Sequence, residues 1–554
     1  MDNNQPNILP LADLGTPECR RWRDKIFRRY GLFRSTLEYH YRRIATEQDY
    51  VAANRWLGVI AERMQLGGTG LTIDDDWSVV DEYAKAKAKA SESLIHEAYK
   101  RLGAEGMLTL LRHEVERTGL TFPLEPKKEH SNSKKVGALA RLCDESWWRR
   151  KLLAWQSREL EGLARELGLV NKKAGAYISN IGFARRKARK KDNRKLLEKL
   201  QAENEQGQTY TLAELADLSV SNPALRRAEL MVRMRGFENI ANDSGSQYAG
   251  VFYTLTCPSK YHAYSKTGQR NPKFNGAAPA NAQAYLNTLW QRVRAAWQRA
   301  GIASFGMRVV EPHHDGTPHW HLLLFFEAPF AQQATRIFRK HAFEEDGDEP
   351  GAQEHRFTVV DIDPQKGSAT GYIAKYISKN IDGYGIDADT YGLDAKDSAQ
   401  RIEAWASTWR IRQFQQIGGA SVTVWRELRR LDAETIDASL LAELIRAADN
   451  AEWDTFNELM GGVICSRAER PLKPLYEIKD HESRYGEIIR QLKGLLFLQA
   501  RVVTRIHTWV VSLLKADCNS DQDEARACET LGDEPSARDQ VFDPPDRANL
   551  EFCQ

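Results

Sequence analysis

Closely spaced cysteines, a long uninterrupted apolar run and a phosphate-binding glycine loop are all missing from this 554-residue chain. Its seven cysteines (Cys19, Cys143, Cys257, Cys465, Cys518, Cys528 and Cys553) are scattered, odd in number and never in C-x-x-C spacing. That excludes a disulfide framework or a zinc ribbon and fits a reducing cytoplasm. The opening MDNNQPNILPLADLG has no basic segment leading into an apolar one, so no secretory signal is expected. The most apolar late stretch, LLFLQARVVTRIHTWVVSLL (495–514), is broken by Arg501, Arg505 and His507, which bilayer insertion penalises. It reads as an amphipathic helix, and no membrane partner is expected. No G-x-x-x-x-G-K-[ST] loop and no repeat of solenoid period occur.

Net charge is also scarce: +3 overall, too little to argue for a nucleic-acid partner. The distribution is more informative. Residues 141–195 are strongly basic, with Arg149, Arg150 and Lys151 followed by ARRKARKKDNRK (184–195), whereas the last forty or so residues are acidic. At this length roughly three or four domains are expected. Residues 1–240 have helical apolar spacing and form a mainly helical, basic N-terminal region. Short β-branched and aromatic runs with helical segments between them place a compact α+β domain at 241–400. Helical character returns over 401–515, with WRIRQFQQIGGASVTVWRELRRL (409–431) as a basic stretch interrupted by two glycines. The tail, 516–554, is poor in core formers and is expected to be disordered.

Four of the 13 histidines, His313, His314, His319 and His321, fall within nine positions. In PHWHLLLFF the strand period puts His319, His321, Leu323 and Phe325 on one face and Trp320, Leu322, Leu324 and Phe326 on the other. HDG (314–316) fits a three-residue hairpin loop ending in a left-handed glycine. That register pairs His313 with Thr317, Pro312 with Pro318 and Glu311 with His319. The facing prolines are tolerable where the ladder needs no N–H donor. Glu311 then joins His319 and His321 on one face, a ligand set suited to Mg²⁺ or Mn²⁺ near a phosphate. His313 is a reserve ligand. The alternative is a half-buried hairpin whose histidines only hydrogen-bond.

GYIAKYISKN (371–380) places Tyr372 and Tyr376 one helical turn apart, with Lys375 and Lys379 three residues after each. Such spacing occurs in ordinary aromatic packing. Beside a metal, however, a phenol becomes a candidate nucleophile for a phosphodiester, and the lysines are candidates to stabilise phenolate or phosphate charge.

Three segments, FYTLT (252–256), PHWHLLLF (318–325) and YIAKYISKN (372–380), resemble the strand, His-hydrophobic-His and two-tyrosine motifs of HUH endonucleases, more closely the P2-type replication gene A proteins of bacteriophages. The likeness covers about 130–430. It implies a central antiparallel sheet with packed helices, flanked by mainly helical regions. It further implies nicking of single-stranded or supercoiled phage origin DNA through a 5′-phosphotyrosine, rejoining of the displaced strand, and host helicase and polymerase partners in the bacterial cytoplasm. A relaxase or two-tyrosine transposase shares this chemistry, although relaxases place their tyrosines before the histidines. A non-catalytic origin-binding protein is the remaining alternative.

Overall fold

The computed structural model describes residues 9–514 apart from 127, 244–246, 389–391 and 437–438, so the acidic tail from 516 lies outside the described residues. The chain divides into two compact units, Met1–Leu167 with His481–Ile488, and Gly168–Asp480 with Ile489–Gln554. No helix among the described residues is long and apolar enough to cross a membrane.

The first unit is helical. Thr16, Asp49, Ser131 and Asp144 each precede a helix and accept a first-turn backbone N–H, satisfying donors that the helix itself cannot. A long span, Trp77–Arg117, is interrupted at Gly103, whose φ of 68° is available to glycine without steric cost. Arg149, one of the tandem basic residues, is 1% exposed and pairs with Asp81 at 2.6 Å. It is a core ion pair, not surface charge.

The second unit is built on a five-stranded antiparallel sheet in the order Phe357–Asp361, Tyr248–Thr256, Pro318–Glu327, Phe305–Pro312, Phe414–Ile417. Strand alternation feeds two separate cores. Phe252, Met307, Val309, Leu323 and Phe325 pack against the helices Pro223–Asp243 and Ala369–Ile381. Tyr253, Val310, Trp320, Leu322, Leu324 and Phe326 pack on the other side with Trp290, Trp297, Phe338 and Trp405, which come from three further helices. The architecture is α+β, with antiparallel sheet and abundant helix, as expected.

Two expectations need correction. The segment 495–514 is not a helix: it contributes to strands Ile488–Phe497, Ala500–Val503 and Trp509–Leu513. Leu498, with φ 52°, turns the chain between the first two, and Trp509–Leu513 pairs with Leu200–Asn204, about three hundred residues away. The four valines at 502, 503, 510 and 511 suit a pleated surface, and a distant strand partner outweighs the local apolar spacing. With Leu472–Glu482 also extended, the described part of 401–515 is helical only as far as Leu459, apart from one strand. That strand is the second correction, because Phe414–Ile417, inside the stretch read as helical, is the fifth strand of the central sheet.

Candidate metal and tyrosine site

The hairpin holding the histidines closes as the residue types require. His313 N–H donates to the Thr317 carbonyl at 2.8 Å, Gly316 adopts φ 80°, and the ladder pairs Pro312 with Pro318 and Glu311 with His319. The buried Asp315 carboxylate pins the loop, accepting from the N–H groups of Ala263 (2.8 Å) and Thr317 (3.0 Å). The register read from the sequence is the observed one.

Its consequence is a triangle of donor atoms. Glu311 Oε1 lies 3.0 Å from His319 Nε2 and 3.1 Å from His321 Nε2, and the two nitrogens are 2.9 Å apart. Edges of this length match the face of an octahedron whose centre is about 2.1 Å from each corner, the bond length of a small hard divalent cation. Three mutually facing donor atoms in a buried pocket make poor hydrogen-bond partners for one another, since both imidazoles aim at one oxygen. The residues therefore fit a metal. Burial, ahead of repulsion from His319, lowers His321 to about 4, so near neutral pH its ring is uncharged with a lone pair to give. Burial alone would raise the Glu311 carboxyl, but the Lys379 charge, ahead of its contacts with the two histidines, holds it well below the usual carboxylate range. His321 Nδ1 meets Thr254 Oγ1 at 3.1 Å, across the strand pair that aligns them, which fixes the ring's orientation. His313 is not a corner of the triangle: its ring stacks 4.0 Å from that of His319.

The tyrosine helix, Ala369–Ile381, turns Ile373 and Ile377 into the core, which sets where the tyrosines point. Tyr376 stacks on His321 at 3.8 Å and on Phe252 at 5.6 Å, so an imidazole and two aromatic rings from all three motif segments meet. Burial, then the Glu311 charge, pushes its phenol up to about 12. Tyr372 is half-buried one turn earlier, 6.3 Å from Phe252. The lysines separate. Lys375 is exposed, its Nζ 4.9 Å from the Tyr376 ring, whereas Lys379 is largely buried and pairs with Glu311 Oε2 at 3.4 Å.

Several residues around the site carried no signal in the sequence. Asn380 donates to Glu311 Oε2 (3.2 Å) and to the Tyr376 carbonyl (2.7 Å), and Gln413 donates to Asn380 Oδ1 (3.3 Å). Asn380 ends the tyrosine motif and could have been suspected from that place alone; Gln413, preceding the unforeseen fifth strand, could not. Glu238 accepts the N–H groups of Ala369 (2.6 Å) and Thr370 (3.1 Å) and thereby caps the tyrosine helix.

Comparison with known proteins gives this arrangement a family. The chain is 43% identical over 412 residues to the replication gene A protein of Escherichia phage 186, covering 71% of this chain and 59% of that protein. It is 46% identical over 367 residues to the probable replication protein P12 of Pseudoalteromonas phage PM2, covering 65% and 56%. A probable replication endonuclease from a prophage-like region of Salmonella paratyphi A is 34% identical over 443 residues, covering 75% and 54%. The chain thus spans little more than half the length of these relatives. No solved structure matches it. The bacteriophage replication gene A protein (GPA) family matches residues 77–384, more than half the chain and inclusive of the triangle and both tyrosines, and the chain belongs to that family.

Proposed function

We propose that the chain is a site- and strand-specific DNA endonuclease of the HUH type, which opens and rejoins one strand at a phage replication origin and so starts and ends rolling-circle synthesis. One observation carries the reading: a buried two-histidine, one-carboxylate triangle with the ring of Tyr376 stacked 3.8 Å from one of its imidazoles. Glu311, His319 and His321 would hold a divalent cation, Mg²⁺ or Mn²⁺, which supplies positive charge beside a scissile phosphate. The endonuclease domain of this proposal is 241–400 together with the fifth strand Phe414–Ile417, flanked by the helical basic region before it and the mixed region after it.

The phenolic oxygen of one tyrosine attacks the scissile phosphorus. Its bond to phosphorus forms as the P–O3′ bond breaks, the phenolic proton passes to solvent, and the departing 3′-oxygen takes a proton to become a free 3′-OH. The phosphodiester's energy stays in the tyrosyl ester, so rejoining needs no nucleoside triphosphate. After a round of synthesis the second tyrosine cleaves the regenerated origin in the same way, and the 3′-OH it frees attacks the first ester, restoring a phosphodiester and a free phenol. Exposed Lys375, beside Tyr376, is positioned to offset charge on the phenolate or phosphate. Lys379 and Asn380 steady the Glu311 carboxylate. The DNA partner is single-stranded or supercoiled phage origin DNA in the bacterial cytoplasm, with helicase and polymerase drawn from the host.

The test is a denaturing gel of the chain incubated with Mn²⁺ and single-stranded DNA from the genome that encodes it. A covalent protein–DNA adduct is expected, absent with chelator and absent in the Tyr372→Phe, Tyr376→Phe double variant. A chain that binds this DNA but never forms the adduct is a non-catalytic origin-binding protein, and the nuclease reading fails. An adduct formed at the ends of a mobile element instead would favour a transposase.

A further inference from the structure

The arginines of the second unit are not evenly paired. A shallow cavity of about 330 Å³ is lined by Arg186, Arg226, Glu403, Arg410, Arg412 and Gln413, among others. Its carboxylate is already taken, since Glu403 pairs with Arg186 at 2.6 Å and with Lys190 at 3.4 Å. Arg226, Arg410 and Arg412 have no carboxylate within ion-pairing distance among the described residues. A solvated arginine is ordinary by itself, and Arg410 ends the helix Ala395–Trp409, where a cation is favoured. Arg226 has no such excuse: it lies in the first turn of Pro223–Asp243, the end of a helix that disfavours a cation. Within electrostatic reach of Arg412, Arg308 is 4% exposed, lies 3.9 Å over the Trp320 ring, and leaves Nε without a hydrogen-bond partner among the described residues. Burial, then repulsion from Arg412 and Arg294, lowers Arg308 to about 10.

Two further features give the cavity a direction. Gln413, in its lining, donates to Asn380, and Asn380 donates to Glu311, so two side chains connect it to the metal triangle. On the other side the helix Asn180–Lys199 brings Arg186 and Lys190 to Glu403 and leaves Lys187, Lys191 and Lys195 exposed. These three recur at four-residue intervals, about 6 Å apart along the axis.

We infer that this cavity is a seat for backbone phosphates of the single DNA strand that also enters the metal site, with Arg226, Arg410 and Arg412 as the contacts and the lysine row of Asn180–Lys199 continuing the track. Guanidinium groups suit phosphate because their planar donors can engage it in pairs. The inference rests on the endonuclease reading for the identity of the strand, and adds where that strand is held.

The test is fluorescence anisotropy of a labelled twenty-residue oligothymidylate on the full chain, read as affinity against salt concentration. Neutralising two contacts in an Arg226→Gln, Arg412→Gln variant should reduce the slope of log affinity on log salt by about 1.4, some 0.7 per contact for a single strand. Mn²⁺ affinity and circular dichroism should be unchanged. A folded variant with the parent's slope and affinity overturns the inference, and so does displacement by inorganic phosphate at matched ionic strength with the slope unaltered. If the double variant does not fold, exposed Arg410→Gln carries the test, with a slope change of about 0.7 expected and an unchanged slope decisive against. Adduct formation by the same proteins on the single-stranded genomic DNA of the endonuclease test separates the two readings. A parent without adduct whose variants lose slope keeps the cavity and loses the endonuclease; an adduct with unaltered slopes does the reverse.

Discussion

Thr254 illustrates how a residue outside the triangle orients a member of it. Its hydroxyl meets His321 Nδ1 at 3.1 Å, leaving Nε2 to face Glu311. Replacement by Val keeps the shape and removes that partner, and we expect Mn²⁺ affinity to fall roughly 10- to 100-fold by calorimetry. Glu311→Gln should cost at least as much, because it removes the negative corner of the triangle. For the tyrosines we expect a division of labour, in which each single Phe variant loses one of the two strand transfers while the other persists. An assay scoring nicking and circle closure separately checks this, and single variants that complete both steps unimpaired would dismiss the two-nucleophile assignment. The triangle was legible because it rests on rules of short range: alternation fixes His319 and His321, and HDG fixes the register that adds Glu311. Asn380–Gln413 was not legible, since the two are 33 positions apart and meet only through the fold.

At the scale of the element, the tyrosine helix is held at its start by Glu238 and along its side by Ile373 and Ile377. Burial raises the Glu238 carboxyl, but hydrogen bonds from Thr370, Ser368 and Ala369 outweigh it and leave the group below its ordinary value. A depressed folded value means that its stabilisation is present above the usual carboxylate range and fades as the pH falls through it. Glu238→Gln should therefore be less stable than the parent at neutral pH, by about 1 kcal/mol, with the difference shrinking toward pH 3 in urea titrations. Ile377→Ala, at a fully buried position, should cost about 2–5 kcal/mol and loosen both tyrosines together. The tyrosine helix was readable from its spacing, with Tyr372 and Tyr376 one turn apart. Strand Trp509–Leu513 was not, because its partner Leu200–Asn204 lies elsewhere in the chain, and its neighbours from 472 to 503 were not, because short apolar runs fit either structure.

For the molecule as a whole, the central sheet separates chemistry from support. Its histidine strand sends His319, His321, Leu323 and Phe325 to one side and Trp320, Leu322, Leu324 and Phe326 to the other. Leu322→Ala should consequently destabilise the fold by about 2–5 kcal/mol while leaving Mn²⁺ affinity of the folded protein within about twofold. The opposed faces followed from the sequence through the period of two, whereas the division of the chain into two compact units, with 481–488 grouped among residues 1–167, depends on contacts no local pattern announces. The central claim concerns one bond between a phenol and DNA, and peptide mass spectrometry of the adduct tests it most directly. The expected result is a nucleotide attached to Tyr372 or Tyr376 through a 5′-phosphate; attachment at any other residue, or through a 3′-phosphate, contradicts the account.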